Sequence, residues 1–147
     1  MKHIFTLLIL SFLFHSVTAQ NAQKTLIKSF NLKGSNYVEL NFDGKVAIKE
    51  WNNTTLRVQM GIELQNSSVH MLKYLITKGR YNLKAVETEK GMTISTPGRQ
   101  KKVVVNKKGD KLQETVLYTV YIPANVQAKV INESTSSNAS LEKTGTK

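Results

Sequence analysis

Four carboxylates, Glu39, Asp43, Glu50 and Glu63, fall within one short stretch of the chain. Two carboxylates held about 5 to 10 Å apart can hydrolyse a glycosidic bond, one protonating the leaving oxygen while the other attacks or activates water. Trp51 stands among them, and an indole offers an apolar face on which a sugar ring can stack. The aromatics Tyr37, Tyr81, Tyr118 and Tyr121 extend that candidate glycan platform, although core and sheet packing explains them equally well. The local pattern gives each acid a plainer role. Glu39 and Glu63 sit on the polar side of alternating segments, Asp43 precedes Gly44 in a turn dipeptide, and Glu50 closes a segment just before Trp51. No catalytic residue is assigned.

Other chemistries are narrower still. The chain has no cysteine, which removes disulfides, thiolate metal sites and cysteine nucleophiles together. Of its three histidines, His3 and His15 lie in the apolar N-terminal segment, so a histidine metal site or a triad would have to use His70. His70 falls between Val69 and Met71 in a helical pattern, with no acid at an adjacent helical position. There is no glycine-rich phosphate loop, calcium loop or zinc spacing, and no cofactor or metal is expected.

The charge balance is strongly basic, with 21 Lys and Arg against 10 Asp and Glu. One cluster stands out: Arg99, Lys101, Lys102, Lys107, Lys108 and Lys111 flank a single expected hairpin and form a candidate anion-binding set. Such a set can grip an acidic polysaccharide or an anionic lipid surface by releasing counterions. Lysines also guard edge strands against pairing with other chains, and that reading is preferred here. Nucleic acid is not an expected partner.

These residues must be positioned by strands. Residues 37–42 alternate, with Val38, Leu40 and Phe42 on one face, and Asp43-Gly44 followed by 45–51 predicts a tight hairpin. After the turn at 52–54, Leu56, Val58, Met60, Ile62 and Leu64 alternate without a break and mark the clearest strand. The period then changes. Ser67 and Ser68 are good N-caps, apolar residues recur at helical spacing, and Gly79 suits a C-terminal cap, so one short helix is predicted near 69–78 with Lys73, Lys78 and Arg80 facing water. Further strands are predicted at 81–87, 92–95, 102–106 and 112–122, the last of them central and ended by Pro123. The expected fold is therefore mainly β: a single domain of short antiparallel or solenoid-like strands with one short helix.

The segments outside that domain have their own signatures. Lys2, the apolar run 4–14 and the small residues Val17 and Ala19 predict a signal peptide at 1–19 with cleavage before Gln20. The apolar run is shorter than the roughly 20 residues that span a bilayer, and no later run suffices, so no transmembrane segment is expected in the mature form. Residues 20–24 are polar and expected to be loose, the β-rich domain covers 24–131, and 132–147 is a polar tail with little to bury.

The runs VELNFDGKVAIKEWNNTTLRVQ and VLYTVYIPANVQAKV resemble the adhesin-like family of exported bacterial proteins known as auto-transporter adhesin head domains. The resemblance covers roughly residues 30–130, and its motifs are structural. It implies stacked or solenoid-like β-structure, an envelope location in periplasm or at the cell surface, and no assigned activity. The chain departs from that pattern in its helix near His70 and in lacking the glycine-punctuated strand repeats that relatives carry after the position of Val130. The leading expectation is an exported, non-enzymatic β-domain with a binding or structural role in the envelope. The alternatives are a glycan-active enzyme using a carboxylate pair, or a basic module for anionic polysaccharide or lipid.

Overall fold

The computed structural model describes residues 21–100, 104–105, 109 and 111–131. The expected signal peptide, the polar tail, and Lys101, Lys102, Lys107 and Lys108 lie outside the described residues. Within them the chain is mainly β, with eight strands: β1 Ala22–Asn31, β2 Tyr37–Asn41, β3 Lys45–Trp51, β4 Thr55–Leu64, β5 Lys84–Thr88, β6 Gly91–Ser95, β7 Glu114–Pro123 and β8 Gln127–Val130. Two short helices accompany them, α1 Val69–Thr77 and α2 Pro97–Gln100.

The strands form two four-stranded sheets, ordered β1-β4-β7-β3 and β5-β6-β2-β8. Both are mixed. β1 and β7 flank β4 antiparallel and β5 pairs antiparallel with β6, whereas β3 runs parallel to β7, and β2 runs parallel to both β6 and β8. The sequence left open short antiparallel or solenoid-like strands, and the strands pair both antiparallel and parallel in two mixed sheets.

The sheets face each other across one core. β4 alternates as its sequence demands, with Leu56, Val58, Met60, Ile62 and Leu64 all buried. Val116, Tyr118, Val120 and Ile122 of β7 join them from the same sheet, and Val38, Leu40, Met92 and Ile94 meet them from the other. Burial of each large side chain in such a row stabilises by about 1.5 to 3 kcal/mol relative to exposure. β7 is central, as its two-sided apolar pattern required.

The expected hairpin at Asp43-Gly44 does not form. β2 and β3 belong to different sheets, and the chain turns a corner there instead of reversing. Alternation with an Asp-Gly dipeptide signals a sharp change of direction but not which strand becomes the neighbour. Phe42 decides it: its ring stacks on Tyr118 of the opposite sheet, at 4.4 Å between centroids and 6° between planes. Gly44, at φ +151°, lies so close to β7 that a Cβ there would stand 2.5 Å from the Val116 carbonyl oxygen.

Other differences have local causes. The polar stretch expected to be loose enters β1 at Ala22, because β1 pairs with β4 along its full length and Ala22 is buried opposite Leu64. Tyr81 and Leu83 are buried ahead of β5 instead of within it. The strand expected at 102–106 is represented in the described residues by one antiparallel bridge, Val105 to Lys111, with Leu112 N–H donating to the Val104 carbonyl at 2.8 Å. Pro97-Gly98, between two of the expected strands, opens α2. The helix α1 begins after Ser68, whose side chain accepts from Met71 N–H at 3.2 Å, and it buries Leu72 and Leu75.

Candidate functional site

At one end of the molecule three loops converge. The connection 52–54 links β3 to β4, which are not neighbours, and so crosses the end of β7 at Pro123. Its shape comes from Asn53, whose Oδ1 accepts from the backbone N–H of Thr54 at 2.8 Å and of Thr55 at 3.3 Å, the local competition that favours Asn in turns. The turn after Pro123 leads into β8, and the β1–β2 connection runs alongside.

Between these loops lie two adjoining clefts. One, of about 520 Å³, is lined by Glu50, Trp51, Asn52 and Ala124 and shares Asn53, Pro123 and Asn125 with the second. The second, of about 420 Å³, continues past Thr54, Thr55, Ser35 and Lys33. The lining is rich in amides and hydroxyls. Among the described residues Asn52 and Asn125 have no side-chain hydrogen-bond partner, so each presents a donor and an acceptor to the cleft.

Trp51 sits at the wall, half-buried. Its Nε1–H donates to the Thr55 carbonyl at 2.9 Å, closing the loop over Pro123. The Arg57 guanidinium lies 4.5 Å from the ring centroid, and the Tyr121 ring lies tilted 43° at 5.7 Å. One indole face is therefore committed to Arg57, and the ring is held rigidly as part of the cleft wall. The sequence-named glycan residue and this cleft coincide, whereas Asn52 and Asn53 were read as turn residues and Asn125 was given no role.

The four acids are not brought together as a catalytic pair. Glu50 pairs in register with Ile122 of β7, and Glu63 with Thr115 of the same strand. Seven residues along a strand separate them by about 23 Å. Glu63 accepts from Asn21 Nδ2 at 2.7 Å, Glu39 from the Tyr37 hydroxyl at 3.3 Å, and Asp43 from Arg99 at 3.3 Å. Only Glu50 of the four lines the cleft.

Arg99, expected in the exposed basic set, is instead the centre of a buried ionic cluster. Its side chain is 7% exposed and pairs with both Asp43 and Glu114. Arg80, expected to face water, donates from Nε to Glu114 at 2.8 Å. Glu114, itself 8% exposed, thus pairs with two arginines and ties α2 and the segment after α1 to the start of β7. Burial raises the Tyr81 phenol above its ordinary pKa, an effect that the charges of Arg80 and Arg99 oppose. Burial likewise raises Tyr118, whose hydroxyl shares a 3.2 Å hydrogen bond with Thr96. No sequence spacing announced this cluster, because its members come from four separate segments.

The remaining sequence candidates are dispersed. His70 is exposed on α1, and Lys111 is exposed beside its bridge to Val105. Among the described residues no group of His, Asp and Glu is arranged to hold a metal, and no helix is long and apolar enough to cross a membrane.

No family model matches the chain, and no curated protein matches it. A solved structure from Clostridium sporogenes, a protein whose name proposes a role in cell adhesion, is similar over 75% of this chain at 18% identity and a TM-score of 0.40. The matched chain spans about half of that protein, 46% of its length.

Proposed function

We propose that this protein is an exported, non-enzymatic β-domain of the cell envelope with an adhesin-like binding role, and that it holds neutral glycan chains in the Trp51 cleft. The carrying observation is the lining of the cleft. Sugar hydroxyls both donate and accept, and the amides of Asn52 and Asn125 do the same from side chains that no other described residue engages. Each of the two clefts falls within the roughly 300 to 1,000 Å³ typical of ligand sites. The separation of Glu50 from Glu63 supports binding over hydrolysis, since a glycosidase needs its acids on either side of one bond.

The test is co-sedimentation of protein beginning at Gln20 with insoluble neutral polysaccharides, at low and physiological salt, with reducing ends measured in the supernatant. Saturable binding that survives salt and releases no reducing ends is the expected result. Release of reducing ends would make the protein an enzyme, and binding abolished by salt would move the interaction to the basic residues.

A further inference from the structure

The core is left open at one end. β1 and β5 lie at the same side of the molecule, since Lys28 Nζ donates to the Leu83 carbonyl at 2.9 Å and Lys33 pairs with Glu87 of β5. The opposite side therefore carries the edge strands β3 and β8. Among the described residues neither has a partner on its outer side. Ile48, which points inward from β3, is 38% exposed, and Val46, Ala128 and Val130 pack against the core while only partly buried.

The outward residues of β3 have a distinct pattern. Lys45, Ala47 and Lys49 are all exposed, and neither lysine forms an ion pair among the described residues. Residues directly opposite in a ladder have Cβ atoms about 4.5 to 5.5 Å apart, near enough for opposite charges to attract and like charges to repel. A strand added to β3 would satisfy this edge best with acids opposite Lys45 and Lys49, a small residue opposite Ala47, and apolar residues opposite Val46 and Ile48. A second copy of β3 fits badly, because antiparallel pairing about Ala47 sets Lys45 against Lys49.

We infer that the β3 edge is a docking site for an extended segment of a partner protein with alternating acidic and apolar residues, which pairs with β3 and covers Val46 and Ile48. Strand addition of this kind draws affinity from main-chain hydrogen bonds and specificity from alternate side chains. The inference is independent of the Trp51 cleft.

The probe is a blocked synthetic peptide with the core Glu-Val-Thr-Val-Glu. Two controls accompany it: the same peptide with lysine for glutamate, and a scrambled peptide of identical composition that places both glutamates together. Titration into protein beginning at Gln20, followed by backbone amide shifts and hydrogen exchange, should locate the alternating acidic peptide on residues 45–49. The lysine peptide should bind about tenfold more weakly, and the double variant K45E/K49E should reverse that preference. Equal binding of the scrambled peptide would show charge attraction without strand pairing and overturn the inference. So would protection elsewhere, or no binding, which would leave the lysines as guards of an edge that stays single.

Discussion

Phe42 and Tyr118 stack in parallel, 4.4 Å apart, and this contact joins the two sheets at the corner where the chain leaves one for the other. Phe42→Ala should therefore cost more than a peripheral truncation, about 3 to 5 kcal/mol in equilibrium urea unfolding. Ile27, 61% exposed on β1, is the control, and Ile27→Ala should change stability by less than about 0.5 kcal/mol. Equal losses would show that the corner does not organise the core.

Gly44 makes the same corner from the backbone side. A Cβ there would meet the Val116 carbonyl oxygen at 2.5 Å, whereas one at Gly34, φ +83°, would meet nothing within 4 Å. Both substitutions to alanine carry a conformational cost of about 1 kcal/mol. Gly44→Ala must also push β7 away, so its unfolding midpoint should fall well below that of Gly34→Ala. Matching midpoints would refute the close approach.

The ionic cluster makes a second stability prediction. Glu114→Gln removes the carboxylate that Arg80 and Arg99 share while Asp43 stays beside Arg99, and breaking a buried pair in this way costs about 3 to 5 kcal/mol. Glu50→Gln, at the cleft, should leave unfolding unchanged. A small effect at Glu114 would mean that water reaches the cluster.

Alkaline pH should destabilise the fold through Tyr81 and Tyr118. Both phenols are raised above 10.0 by burial, so above that pH the unfolded chain has released protons that the folded chain retains. Stability is then present below about pH 10 and declines as pH rises from there through the folded values. The Tyr81 hydroxyl is buried beside the Arg80 guanidinium. Tyr81→Phe removes one of the two raised phenols and should flatten the loss between about pH 9 and pH 11, read as urea midpoints. A loss as steep as the parent's would show that Tyr81 does not carry it.

Period and capping made much of this fold legible. The unbroken alternation of 56–64 defined β4, the serine cap at Ser68 and the helical spacing after it defined α1, and the two-sided apolar pattern of 116–122 marked β7 as central. Partner choice was not legible. Nothing local to 37–51 says that β2 and β3 part company, since that follows from Phe42 meeting Tyr118 seventy-odd residues later. The same limit hid Glu114 between two arginines of distant segments. In the candidate site Trp51 was visible by residue type, but Asn52 and Asn53 were read as turn formers and Asn125 was given no role, and only the convergence of three loops gives them a common cleft.

Trp51 is the chain's single tryptophan and lines that cleft, so its emission reports directly on what enters. The most direct test of the glycan account is a fluorescence titration with soluble neutral oligosaccharides, comparing the parent protein with the double variant N52A/N125A, whose folding should be unaffected because neither amide bonds to another described residue. The account predicts a saturable change for the parent and a loss of roughly tenfold or more in affinity for the variant, as removal of two hydrogen-bonding groups implies. Unchanged affinity in a folded variant, or no response from the parent to any neutral sugar, would contradict it.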